Sequence, residues 1–527
     1  MVVTLQSAHV IGGIEGELVK VTIEASAGPP LFHLVGLPDA AITSCRDRIC
    51  SALRASGYHV PGQRLIVHVT PASLRTHSCS HDLAIAIALL VASRQTRIAR
   101  QDTQTMLFLG ALTSDGRVHH TAGILPLVAQ AQQQQVNEIF VPVTDAQEAA
   151  LVQGITVYPA ETLGQVLAHL NGERRMEPVA PGVPLVEQIE GVISGPDIAL
   201  VRGQEHVKRA LEIAVSGGHH AVLSGPPGSG KTLLAHALPS ILPPLEVEEA
   251  LEVTRIYSVG NMLPAENPLI VQPPLRVPYQ TISPVELVGG EPTLRPGEIS
   301  LAHQGILFLD DVQTFDPGVL ALLHRPLKEK RVTISSPQGT TTYPAQVQII
   351  ASMKPCPCGF FADPVQECIC SATAIARYQK RISRSLLAQM DIHVEVPRID
   401  YEQLSARRQT ETSAIIQARI QAARDRQRRR LTGTALTRNA EMEPAQLRTF
   451  CQVESSAERL LKVAQHQLHL PTRVLHRILR VACTIADLEE CEHIAANHVA
   501  EAIHYRQRVG LEHSLHGKQR PLQEALR

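Results

Sequence analysis

The sequence contains no tryptophan, and aromatic residues fill only 3% of its 527 positions. So small a supply of ring faces argues against a base-stacking platform for single-stranded nucleic acid. Long hydrophobic runs are missing too. The longest, residues 83–92, falls short of the ~20 apolar residues that cross a bilayer. The opening MVVTLQSAHVIGG has no basic stretch followed by an apolar one, so no signal peptide is expected. Charge of one sign is not in excess, since 49 Lys and Arg face 50 Asp and Glu. A polyanionic partner would have to meet a local patch. The ten cysteines form no disulfide framework: Cys45, Cys50, Cys79, Cys451, Cys483 and Cys491 are scattered and four share one segment, as reduced thiols do. These absences predict a soluble, cytoplasmic protein.

What is present, 44% hydrophobic residues, is material for about three domains of ~100–200 residues each. Over residues 1–172, β-rich runs (LVKVTIEA, RLIVHVT, MLFLGAL, EIFVPV) alternate with helical stretches at 39–56, 81–93 and 123–134, which predicts an α+β domain. Residues 173–190 carry Pro178, Pro181 and Pro184 without periodicity and read as a linker. Over 191–400, the strands HAVLSG, GILFLDD and VQIIASM alternate with helices. That is the pattern of an α/β fold whose parallel sheet binds its ligand at the carboxyl ends of the strands. Helices such as 413–430 and 473–491 dominate 401–510, and 511–527 is a polar tail.

The run Gly225, Pro226, Pro227, Gly228, Ser229, Gly230, Lys231, Thr232 matches G-x-x-x-x-G-K-[ST] directly after an apolar strand and before a helix. Glycines let backbone N–H groups turn inward around phosphates, and the helix N-terminus adds its positive dipole end. Lys231 is placed to reach the β- and γ-phosphates and Thr232 to ligate Mg²⁺. A chance glycine-rich turn is the plain alternative, and both flanks speak against it. Downstream, ILFLDD ends an apolar strand in two acids. Asp310 is placed to hold Mg²⁺ and Asp311 to orient an attacking water; acids that merely close a strand are the alternative. ATP and Mg²⁺ are the cofactors expected.

In combination, VRGQEHVKRALEIAVSGGHHAVLSGPPGSGKT, RPGEISLAHQGILFLD, PCPCGFFADPVQECIC and HRILRVACTIADLEE resemble the bacterial magnesium-chelatase-like AAA+ ATPases known as ComM or YifB, up to about residue 510. The resemblance implies an AAA+ P-loop module with an N-terminal Lon-protease-like α+β domain and a C-terminal helical lid. It further implies a homo-hexameric ring that drives branch migration on single-stranded or branched DNA during transformation, with no membrane partner.

Three positions depart from the family pattern. The family's Asp-Glu at the end of the Walker B strand is here Asp310-Asp311, one methylene shorter, and a shift of about 1 Å can cost ~100-fold in rate. The Asn that serves as sensor 1 is replaced by Lys354. The arginine-finger position of Leu-Leu-Asp-Arg carries Gln389, where a trans arginine is worth ~10³–10⁵ in rate. Sensor 2 is matched by Arg473. Asp311, Lys354 and Arg473 are thus the residues expected on the catalytic side.

The leading functional reading is a ring-forming ATPase acting on DNA. A second is a nucleotide-binding regulatory or scaffold subunit that hydrolyses ATP slowly or not at all, and a third is a magnesium chelatase subunit. Compensation within a working ATPase is open, with Arg377, Arg381 and Arg384 near enough to replace the finger.

Cys356-Pro357-Cys358 and Cys368-Ile369-Cys370 are two Cys-x-Cys pairs, four thiolates suited to tetrahedral Zn²⁺. Their tight spacing leaves reduced cysteines packing a loop as the alternative. A Lon-like fold implies a Ser-Lys dyad. Ser80 falls near the nucleophile's position, but Leu125 stands at about the lysine's place and Lys20 is the only lysine before Lys208, so no protease is expected. Ser80, beside His81 and Asp82, is expected to cap a helix N-terminus. Arg424, Arg426, Arg428, Arg429 and Arg430 suit either phosphate contact with DNA or a solvated helix face, and Asp425 within the run favours the latter.

Overall fold

Along Glu15–Ser26 the residues Val19, Val21 and Ile23 turn inward at alternate positions, the period-two pattern of a half-buried strand. This strand pairs antiparallel with Val2–Gly12, and the two form the middle of a seven-stranded mixed sheet. Its order is Leu31–Val35, Arg64–Thr70, Glu15–Ser26, Val2–Gly12, Met106–Phe108, Glu138–Pro142, Thr156–Ala160. Helices Asp39–Ala55, Asp82–Ala92 and Leu163–Leu170 share one core with Leu5, Val21 and Phe108, while Ile124–Gln133 shares another with Ala8 and Leu107. Neighbouring residues of a strand therefore feed opposite faces. The computed structural model describes residues 2–29, 31–71, 79–98, 103–180, 195–264, 266–290, 294–336, 339–361, 363, 365–381, 384–399 and 410–506.

Residues 173–180 of the expected linker are packed on this first unit. Met176 is buried in its core, and the N–H groups of Met176 and Val179 donate to His169 Nδ1 at 2.8 Å and Val157 O at 2.9 Å. The remainder, 181–190, and the expected domain start at Gly191 lie outside the described residues, as does the tail 511–527.

The second unit is built on a five-stranded, all-parallel sheet in the order Leu275–Arg276, Ile306–Leu309, Gln348–Met353, Ala221–Ser224, Ile392–Glu395. Its central strands are buried on both faces, so they appear in sequence as unbroken apolar runs. Ala221–Ser224 lies between two strands that follow it much later in the chain. The loop after it opens where the strand order reverses, the place where such sheets bind ligands. Helices Ser413–Arg430, Pro444–Phe450, Ser455–Gln467, Thr472–Leu488 and Ala496–His504 follow and share one core with Ala221, Leu223 and Leu238. Among the described residues no helix is long and apolar enough to cross a membrane.

The two units are docked. Leu125 packs with Leu245, Ala250 and Val253, Ser258 Oγ donates to the buried Glu148 Oε1 at 2.5 Å, and His120 Nε2 meets Asn261 Oδ1 at 2.6 Å. At the end of the first strand, a Cβ on Gly13 would lie 2.1 Å from Thr342 O, at a φ of +61°. Only glycine lets the hairpin Arg331–Ser336/Gly339–Pro344 approach there.

Candidate functional site

The P-loop runs from the end of Ala221–Ser224 into the helix Lys231–Ile241. Gly228 and Gly230 adopt φ of +77° and +87°, which side chains resist. A Cβ on Gly225 would sit 2.2 Å from Val396 O, so the loop is pressed against the segment leaving the edge strand. Lys231 is buried, and its Nζ donates to Gly225 O at 2.9 Å, Pro226 O at 2.7 Å and Ser229 Oγ at 3.3 Å. Burial holds its pKa below the ordinary lysine value, partly offset by the carboxylates of Asp311 and Asp310. Gln204 Nε2 donates to both Ser229 O and Pro397 O at 2.8 Å, tying the loop to its neighbour strand.

Thr232 Oγ1 donates to Asp310 Oδ2 at 3.1 Å. The hydroxyl and carboxylate expected to share Mg²⁺ thus converge, and two hard oxygen donors suit that ion. Ser352, fully buried on the strand between the two motifs, donates to Asp310 Oδ1 at 2.6 Å and accepts the Asp311 N–H at 2.7 Å. Its one signal in the sequence is a hydroxyl inside an otherwise apolar run, one residue before Met353-Lys354.

Asp311 stands at φ +53°, the left-handed region that Asp tolerates better than most residues. Its Oδ2 accepts from Lys354 Nζ at 2.6 Å, and its Oδ1 accepts from Gln313 Nε2 at 3.3 Å. The acid expected to orient water is therefore engaged by Lys354, which stands where the sensor amide was expected. Gln389 does not reach the P-loop; its amide meets the His324 ring. Arg473 is exposed in the first turn of Thr472–Leu488, and among the described residues no hydrogen bond or ion pair joins it to the P-loop. Of the arginines offered as replacement fingers, Arg377 is exposed on the helix Ala372–Arg381, and the side chains of Arg381 and Arg384 lie outside the described residues. One turn beyond Arg473, Arg477 pairs with the buried Asp391 at 3.2 Å. Asp391 also faces His219 Nδ1 at 3.5 Å. Although burial alone would raise it, His219 and Arg477 hold this carboxyl far below the usual range.

Two expectations are corrected. Ser80 caps no helix: its hydroxyl donates to Ala8 O at 2.9 Å, and His81 occupies the N-cap of Asp82–Ala92. Nor do its neighbours form a triad with it. His81 Nδ1 meets Ser7 Oγ at 2.9 Å, and Asp82 pairs with Arg48 at 2.9 Å. The arginine run is not a solvated face. Arg424 is buried and donates to Val215 O, Arg426 pairs with Glu490 at 3.0 Å, Arg428 with Glu246, and Arg430 Nη1 donates to the buried Asp487 at 2.8 Å. Arg429 alone is exposed, with its Nε on Asp425 O.

The four clustered cysteines come together. Cys356 Sγ lies 3.3 Å from Cys358 Sγ and 3.7 Å from Cys368 Sγ, Cys358 and Cys368 are 3.6 Å apart, and all four sulfurs, Cys370 included, lie within 4.8 Å of one another. Burial opposes ionisation of Cys358, but the amides of Phe360 and Ile369 and the neighbouring thiols outweigh it and bring its pKa down to about 6. No disulfide joins any of the ten cysteines.

Residues 197–404 match the family described as magnesium chelatase, subunit ChlI, residues 19–145 the subunit ChlI of Mg-chelatase, and residues 410–506 the C-terminal part of that subunit. Competence protein ComM of Haemophilus influenzae is 34% identical over 95% of this chain and 96% of its own length. Protein YifB of Escherichia coli is 34% identical over 94% and 95%. An uncharacterized protein of Mycobacterium tuberculosis is 36% identical over 94% and 97%.

Proposed function

The chain belongs to the magnesium-chelatase-like ComM and YifB family, and from that premise we propose that it binds Mg²⁺ and ATP in a ring-forming AAA+ assembly but hydrolyses the nucleotide slowly. The observation that carries this reading is the 2.6 Å ion pair between Lys354 and Asp311 beside the Thr232–Asp310 contact. Lys231, the inward-turned amides of the loop and Thr232 supply binding, with Asp310 and Thr232 as the residues that would hold Mg²⁺. When bound, the ion neutralises phosphate charge. The Lys354 ion pair holds one oxygen of the Asp311 carboxylate away from the task of orienting water, and Gln389 offers no charge to a neighbour's γ-phosphate.

The remaining assignments follow the family resemblance: a Lon-protease-like unit over 1–172, an AAA+ module over 191–400, a helical lid over 401–510 that presents Arg473 as sensor 2, a hexameric ring, and DNA as the polymer it acts on. Catalytic activity as a DNA-driven motor is the second reading, favoured by the complete P-loop. Affinity for ATP and turnover with and without single-stranded DNA separate the two. Tight binding with turnover well below ~1 s⁻¹, the low end of ordinary enzymes, supports the first. Turnover above that rate, raised further by DNA, supports the second.

A further inference from the structure

We propose that the four-cysteine loop binds one Zn²⁺ and that the metal-closed loop braces the P-loop in the shape that receives phosphate. The brace rests on the nucleotide-binding reading above. Four thiolates around zinc at ~2.3 Å form a tetrahedron with edges of about 3.8 Å, and the three sulfur separations of 3.3, 3.6 and 3.7 Å are close to it. The Gly359 N–H donates to Cys356 Sγ at 3.2 Å, the outer-shell contact that orients a ligand and tunes its basicity. In the second half of the loop Val365 and Ile369 are 71% and 88% exposed, so packing secures that half weakly and bound metal would add the free energy that closes it.

The loop touches the P-loop along two routes. Gly359 adopts a φ of +86°, and a Cβ there would lie 2.5 Å from Pro227 Cδ, so the turn that follows the first cysteine pair rests directly on the phosphate loop. On the other route, the Phe360 ring lies 5.0 Å from the Arg398 guanidinium, a cation–π contact, and Arg398 pairs with Asp363 at 3.2 Å. Arg398 follows Pro397, whose carbonyl shares the Gln204 amide with Ser229 of the P-loop. Val396 O, one residue earlier, lies where a Cβ of Gly225 would be. The cysteine loop and the segment 396–398 thus each approach the P-loop, at Pro227 and at Gly225, and meet at Phe360 and Arg398.

The test uses the full chain purified without chelators. Metal analysis is expected to find about one zinc per chain. Releasing it with an organomercurial, or by Cys368→Ser, is expected to weaken binding of a fluorescent ATP analogue by about tenfold, the equivalent of one or two misplaced cradle hydrogen bonds. Zinc with dithiothreitol should restore the affinity after mercurial release. Gly359→Ala should keep the zinc and lose affinity to a similar degree. Zinc present but affinity unchanged by its release would overturn the brace. No stoichiometric zinc would overturn the site itself. Zinc-loaded protein that binds no nucleotide would overturn the P-loop reading on which the brace depends.

Discussion

At the scale of single residues, the proposed chemistry turns on which partner Asp311 keeps. Lys354 reaches it across 43 positions of sequence, and on the proposed reading Gln389 leaves the finger position without charge. Groups that act as a unit respond non-additively. Lys354→Asn alone should therefore raise ATP turnover little, whereas Asp311→Glu, Lys354→Asn and Gln389→Arg together should raise it by ~100-fold or more, the scale of a repositioned water and a restored finger. Steady-state phosphate release checks this, and a triple variant no faster than the parent would refute the assignment. Lys231→Ala should abolish measurable nucleotide binding in an equilibrium titration. The glycine turn between Ala221–Ser224 and Lys231–Ile241 was legible in the sequence because its backbone geometry is written in consecutive residues. The Lys354–Asp311 pair and the Ser352 bridge were not, because they depend on register between separate strands.

At the scale of elements, the helix Ser413–Arg430 shows where pattern and role part company. Its boundaries matched the helical periodicity, yet charge count alone did not reveal that its arginines are staples to Asp487, Glu490 and Glu246. Arg430→Ala leaves Asp487, 1% exposed, without its cation and should cost about 3 kcal/mol in urea unfolding. Arg429→Ala should leave the salt dependence of any DNA binding unchanged. Loss of a real phosphate contact would flatten the log–log slope by about 0.9. Strands buried on both faces were easily seen as apolar runs. The Ser80 cap was misplaced because a residue 72 positions earlier, Ala8, offers its hydroxyl a carbonyl, a contact no local rule contains. Met176 likewise anchors the start of a segment whose prolines suggested only a linker.

At the scale of the whole molecule, the N-terminal unit carries a pH dependence of its own. His9 and His81 are buried with ring centroids 5.9 Å apart. Burial, aided at His81 by His9, lowers their pKa values from 6.5 to about 4 and about 3. Below pH 6.5 the unfolded chain takes up protons that the folded chain refuses, so stability present at neutral pH falls as pH drops. Each histidine contributes about 2 kcal/mol of that loss by pH 5. Thermal unfolding followed from pH 7 to pH 5 should show a falling midpoint, with a shallower fall in His9→Asn. This unit docks through Leu125, Glu148 and His120 onto the helix Val247–Val259 and the turn after it. Its stability therefore bears on the second unit and on the nucleotide binding proposed for it. The most direct test of the account is ATP turnover by the full chain at saturating Mg²⁺ and ATP, with single-stranded DNA present and binding measured on the same sample. It predicts saturable binding with turnover well below ~1 s⁻¹; bound nucleotide turned over faster than that would contradict it.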